Sequence, residues 1–274
     1  MFEYVFMQRA FLAGCILGVA IPLIGVVVVF KRLSMMGDAL SHTSLAGVAV
    51  GLIGGFDPVI GAAVACLGAA GAIEVIRRRF AGHAELAIAL VMSCGIGLAG
   101  VLASFAPSAA GFQSYLFGSI VAVGDDEVLG VALVGALVIG SCVLFRKQFF
   151  ALTLDERAAR VSGINVRLMN GVFVVVCAFA VAVGSRTVGA LIISSMMVVP
   201  VACALQVSRG WYQTCVASCL IGLAITAVGL VISYEFGLKP GGTIVLAGIA
   251  LLLVLLFIKS IVRKFFLCIS KESV

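Results

Sequence analysis

Asp38 and His42 stand four residues apart in a stretch otherwise built of bilayer-compatible residues, Met36-Gly37-Asp38-Ala39-Leu40-Ser41-His42-Thr43-Ser44-Leu45-Ala46-Gly47. At that spacing a carboxylate and an imidazole share one face of a helix. Both are ligands for a borderline divalent cation such as zinc. An acid deep in a membrane helix costs about 2.5–3.5 kcal/mol on insertion scales, so it ordinarily has a task. Ser34, Asp38, Ser41, His42 and Leu45 follow the helical i, i+4, i+7, i+8, i+11 pattern, and four of the five are polar. A polar stripe on a membrane helix faces protein or water rather than lipid. Counting from Arg32, Asp38 lies about 9 Å and His42 about 15 Å into the span, the latter near the midplane where transported solutes bind. A second reading stays open: Gly37-Asp38 makes a good helix start with Asp38 as N-cap, and His42 a satisfied core histidine.

Two ligands are too few for tetrahedral zinc. A two-fold symmetric dimer would bring Asp, His, Asp and His around one axis. The pair includes no thiolate, which suits an ion that must be released.

The elements that position this pair can be read from composition. The chain has 274 residues, 63% hydrophobic and 11% charged, with a mean hydropathy of +1.29. About 20 apolar residues make a spanning helix, and such stretches run almost from end to end. The 32 glycines fit close helix packing in lipid. The expected fold is a single all-α polytopic membrane domain over residues 1–274, with eight or nine spans. The candidates are 9–30, 37–54, 58–76, 84–105, 127–145, 168–184, 187–207, 211–233 and 243–262, the first a retained span and not a cleaved signal. Residues 107–126 read as a short interfacial or re-entrant segment.

The net charge of +6 reflects topology and implies no nucleic-acid partner. All Lys and Arg residues except Arg9, Arg186 and Lys239 fall in clusters separated by two spans. They therefore share a face, the cytoplasmic one, which puts the N-terminus outside. The other face carries Asp57, Asp125-Asp126-Glu127 and Glu235, an acidic mouth that favours cation entry or simple loop solvation. The nine cysteines lie mostly in apolar runs without Cys-x-x-Cys, as packing residues rather than a disulfide framework.

The longest polar stretch, Phe149 to Arg167, reads as a short cytoplasmic amphipathic helix capped by Thr153 or Asp155, with Glu156 in its first turn and Gly163 at its end. It suits docking of a soluble partner or is a plain surface helix. In the run Thr187 to Pro200, the proline frees backbone groups near Ser194 and Ser195, a hinge, a path-lining kink or a structural bend. The chain contains no G-x-x-x-x-G-K-[ST], no H-E-x-x-H and no G-x-S-x-G, so it has neither a Walker-type nucleotide site nor support for hydrolase chemistry.

Several blocks together resemble one family, the membrane permease subunits of bacterial high-affinity zinc/manganese ABC importers. They are Gly37 to Gly47, Tyr115-Leu116-Phe117-Gly118, Asp155 to Arg167, Val188 to Ser194 leading to Pro200, and Pro240-Gly241-Gly242-Thr243-Ile244-Val245-Leu246. The resemblance implies a multi-pass permease of the bacterial cytoplasmic membrane that pairs with a second copy of itself, with two ATPase subunits beneath and an extracytoplasmic metal-binding protein above. ATP is then hydrolysed on the partner subunits, no cofactor is held covalently, and Zn²⁺ or Mn²⁺ is the substrate. Asp38 and His42 are implied as metal-interacting or gating residues, with Ser34, Ser41, Ser194, Ser195 and Pro200 lining or gating the path. Residues 153–166 are implied as the coupling segment, through Asp155, Glu156, Arg157, Ala159 and Gly163. Ala46 departs from the proline that many relatives carry, and Tyr115 to Gly118 followed by Ala122-Val123 leans toward the zinc branch. The alternatives are an iron or metal-chelate permease of the same machine and an ATP-independent secondary carrier.

Overall fold

The computed structural model describes residues 5–80, 83–105, 115–116, 118 and 124–272. The described residues are almost entirely helical: α1 (Val5–Phe30), α2 (Met36–Gly54), α3 (Pro58–Arg79), α4 (Ala84–Ala103), α5 (Asp125–Leu144), α6 (Arg146–Leu154), α7 (Glu156–Val161), α8 (Val166–Gly184), α9 (Ala190–Val207), α10 (Trp211–Phe236) and α11 (Pro240–Glu272). A π-helical turn, Ser185–Gly189, joins α8 to α9. The interfacial segment expected at 107–126 lies largely outside the described residues.

Among the described residues, seven helices are long and apolar enough to cross a membrane: α1, α3, α4, α5, α8 with its π turn, α10 and the Pro240–Ile261 part of α11. The two expected spans not among them, 37–54 and 187–207, are nevertheless helical as α2 and α9. In α2 the reason is its polar content, Asp38, His42 and several hydroxyls, whereas α9 is apolar and merely shorter. Helix α2 is wrapped by α3, α4 and α9, and α9 by α1, α10 and α11. A helix enclosed by other helices needs less lipid-like surface, which is why α2 can carry its polar residues. By contrast, 67% of the most apolar window of α1 is buried but only 11% of that of α11, so α1 is central and α11 lies at the periphery of the chain.

Small residues set the close approaches. A side chain at Gly25 of α1 would run into the Met197 carbonyl of α9, one at Gly47 of α2 into the Gly61 carbonyl of α3, and one at Gly222 of α10 into the Gly18 carbonyl of α1. In lipid, such packing does the work that hydrophobic burial does in water. Between α8 and α9 the chain reverses at Gly189, whose φ of +103° only glycine adopts easily. Gly118 packs against the Val188–Gly189 backbone at the same place.

Candidate metal-handling site and its coupling network

Helix α2 begins at Met36, with Met35 at the cap position and no side-chain cap bond. Asp38 therefore sits in the first turn and is not the N-cap. Its neighbours Gly37, Ala39, Leu40 and Ser41 are buried, whereas Asp38 and His42 are each partly exposed, one turn apart. Further along that face Leu45, Ala46 and Ala49 are buried again, at 2%, 4% and 0% exposure. The helix is thus open on one side, near its cytoplasmic start, at the acid and the imidazole. Among the described residues no hydrogen bond or ion pair engages either side chain, and no group of three or more His, Cys, Asp or Glu residues gathers to hold an ion.

The expected path-lining residues separate into two sets. Ser41 is buried beside the pair, its Oγ without a partner among the described residues. Ser194 of α9 comes against α2 because Gly37 has no side chain: a Cβ there would lie 3.2 Å from the Ser194 Cα. Ser34, just before α2, is partly exposed. Ser195 and Pro200 instead face a narrow gap against α10 and α11 with Ile225, Ile244 and Gly248, away from α2. One contact that sequence reading missed locks α2 to the outer turn: Ser44 Oγ and Ser185 Oγ lie 3.1 Å apart, both buried.

The cytoplasmic polar stretch is an elbow of two helices. Phe149 and Leu152 bury α6 against the bundle, each 3% exposed, and Phe149 meets Phe173 of α8 edge-on at 6.4 Å. Asp155, not Thr153, caps α7: its Oδ1 accepts from the Arg157 N–H at 2.7 Å. Gly163 closes the unit at φ +83°. Glu156 leaves the first turn of α7 and ties it to three spans. It pairs with Lys31 after α1 at 3.0 Å and with Arg77 of α3 at 3.3 Å, and it accepts from Asn170 Nδ2 of α8 at 3.3 Å. Half-burial works to raise the Glu156 carboxyl, but the Lys31 ammonium, Arg77 and Asn170 outweigh it and hold it below its ordinary range. Burial in turn pulls the Lys31 ammonium down, against the opposing pull of Glu156.

At the opposite end, a cavity of about 550 Å³ is lined by Asp57, Asp126, Glu127 and Thr187 around Arg186. Arg186 pairs with Glu127 at 2.5 Å and reaches Asp57 at 4.0 Å. Arg9 pairs with Asp125 at 2.7 Å. Arg9 and Arg186, both assigned to the outer face, therefore meet acids assigned to that face. Three of the acids expected on that face, Asp57, Asp126 and Glu127, line one cavity with a guanidinium set into it.

Residues 3–259 match the ABC 3 transport family. The chain belongs to that family. It is a membrane-spanning permease, multi-pass in the bacterial cytoplasmic membrane, and ATP hydrolysis falls to a separate ATPase subunit. A probable metal transport system membrane protein of Treponema pallidum (strain Nichols) is 35% identical over 96% of this chain and 99% of its own length. The manganese transport system membrane protein MntC of Listeria monocytogenes is 29% identical over 89% and 87%. The high-affinity zinc uptake system membrane protein ZnuB of Haemophilus influenzae is 27% identical over 94% and 98%. Among solved structures, PsaBC from Streptococcus pneumoniae in complex with Fab superposes with a TM-score of 0.83 at 29% identity, over 92% of this chain and 91% of that one.

Residues of this ABC 3 permease that sequence reading passed over are Lys31, Glu74, Arg77 and Asn170. A signal existed for two of them. Glu74 precedes Arg77 and Arg78 at i+3 and i+4, and both pairs form, at 3.0 and 2.8 Å. Asn170 is a lone amide in an apolar span and is 3% exposed, a position that demands a partner. Lys31 looked like one more cytoplasmic cation, and nothing in its sequence surroundings indicates that it turns inward.

Proposed function

We propose that this permease imports a divalent transition metal, Zn²⁺ first, as a homodimer driven by two ATPase subunits and fed by an extracytoplasmic binding protein. The observation that carries the reading is the opening on α2: two ion ligands one turn apart, partly exposed on a helix whose flanking residues are closed. Two copies supply two carboxylates and two imidazoles, a shell that suits zinc and contains no sulfur to retain it. The binding protein delivers the ion to the acidic outer cavity, Asp38 and His42 take it in transit, and Ser34, Ser41 and Ser194 line the same stretch of path. Ser195 and Pro200 serve as a bend in α9 against α10 and α11. The segment 153–166 couples: Asp155 caps α7, Glu156 anchors it, Arg157 and Ala159 lie on its body and Gly163 ends it, so a push from the ATPase moves it as a unit.

Mn²⁺ is the second reading, favoured by the manganese transport named for MntC. A carboxylate and an imidazole serve either ion, Mn²⁺ completing an octahedral shell with water. The test is uptake of radioactive Zn²⁺ and Mn²⁺ into vesicles carrying the purified complex, with and without ATP. ATP-dependent entry of zinc, reduced at least tenfold by Asp38→Ala and by His42→Ala with the complex intact, is expected. Full uptake by both variants contradicts the role of the pair. Entry without ATP contradicts the ATP-driven reading.

A further inference from the structure

Lys31 comes directly after the last residue of α1, yet its side chain is only 6% exposed. A buried ammonium is tolerated only where its charge and its protons are met. Three groups on two other helices meet it: the Glu156 carboxylate of α7 at 3.0 Å, the Asn170 carbonyl oxygen of α8 and the face of Phe173, 5.4 Å from the ring centre. Arg77 also touches Glu156, but it is held within its own helix by Glu74, at 3.0 and 3.2 Å. Lys31 has no such partner on α1 among the described residues, and its ion pair runs wholly across elements.

Immediately beyond Lys31, the connection from α1 to α2 is a stiff hydrogen-bonded turn. The Arg32 N–H donates to Val29 O at 3.0 Å, Leu33 N–H to Val28 O at 2.9 Å and Met36 N–H to Leu33 O at 2.8 Å. Arg32 takes a positive φ of 58°, and Leu33 is 5% exposed. Met36 opens α2, and Asp38 comes two residues later. A displacement of α7 that moves Glu156 therefore acts on Lys31, and through a turn with little slack on the first turn of α2.

We infer that Lys31 is a positioning residue that transmits movement of α7 to the Asp38–His42 turn, with Asn170 and Phe173 fixing its ammonium in place. This rests on the proposed function, in which the ATPase moves α7. The test uses the full complex in lipid discs and monitors amide hydrogen exchange of residues 31–42 and 156–161 before and after the ATPase is trapped with ADP and vanadate. In the wild type, trapping changes exchange in both segments. In Lys31→Met the 156–161 response persists and the 31–42 response falls at least fivefold; Lys31→Arg, which keeps the cation, restores most of it. Should Lys31→Met fail to assemble, Asn170→Leu removes one partner of the ammonium while keeping the ion pair, and a loss of at least twofold at 31–42 is expected. An unchanged 31–42 response in either variant, or none in the wild type, overturns the inference. Uptake measured on the same discs fused into vesicles separates the two claims. A complex with the wild-type response but no entry of Zn²⁺ or Mn²⁺ refutes the function and leaves the transmission standing; normal uptake with a Lys31-independent response refutes the transmission alone.

Discussion

A carboxylate without a partner on a membrane helix costs stability, and among the described residues Asp38 is in that condition one turn from His42. Removing an unpaired charge relieves the fold even where it ends activity. Asp38→Ala is therefore expected to leave the thermal midpoint of the purified permease unchanged or raise it by about 1–3 °C, while uptake collapses; a clear fall in midpoint would mark Asp38 as structural. Glu156 behaves oppositely. Its carboxyl titrates below the ordinary 4.5, so the native state binds its proton less readily than the unfolded chain. The resulting stability is complete above about pH 4.5 and is lost as pH falls through the lowered native value. Midpoints measured from pH 7 down to pH 3 should drop across that acid window in the wild type and drop less in Glu156→Gln, and parallel curves would show that the ion pair contributes nothing. The acid–imidazole pair was legible in the sequence because charge in an apolar run stands out. The Lys31–Asn170 contact was not, since its residues are 139 apart and only the packing of α1 on α8 joins them.

The helices themselves were legible because a hydrophobic run of the right length leaves few alternatives in a membrane. Where the reading fell short, local sequence underdetermines the outcome. Phe149 to Arg167 read as one short amphipathic helix, whereas the structure divides it between α6 and α7, with Phe149 of α6 docked on Phe173 of α8. The π turn at Ser185–Gly189 arises from how α8 and α9 fit together, which no local pattern encodes. Packing makes sharp predictions here. Gly25→Val drives a side chain into the Met197 carbonyl and should cost about 1–3 kcal/mol, seen as a lower midpoint. Gly97→Ala, with open space around it, should be neutral or slightly stabilising. Equal effects of the two would contradict the α1–α9 contact. Gly163→Val forces a branched residue to φ +83°, at a cost of about 1–2 kcal/mol confined to the end of α7. The expected outcome is an assembled complex that hydrolyses ATP but imports several-fold less metal per ATP.

Across the whole molecule the charges divide by side. The ion pairs of Arg9 and Arg186 gather acids at one end, and those of Lys31, Arg77 and Arg78 at the other. That agrees with the distribution of Lys and Arg along the chain, a long-range property that sequence does record. The proposed second copy rests on the pair itself, since one chain places a single acid and a single imidazole, Asp38 and His42, on the open side of α2. In native mass spectrometry the permease is expected to carry two copies per complex, and a one-copy assembly that still imports metal would rule out the shared shell. The shell itself is open to direct observation. X-ray absorption at the zinc edge, on the complex loaded with one Zn²⁺ per pair of subunits, should show only nitrogen and oxygen neighbours at about 2.0–2.2 Å, with the imidazole signal lost in His42→Ala. Sulfur at about 2.3 Å, from a chain with nine cysteines, or a spectrum unchanged by His42→Ala, would contradict the assignment of Asp38 and His42 to the ion.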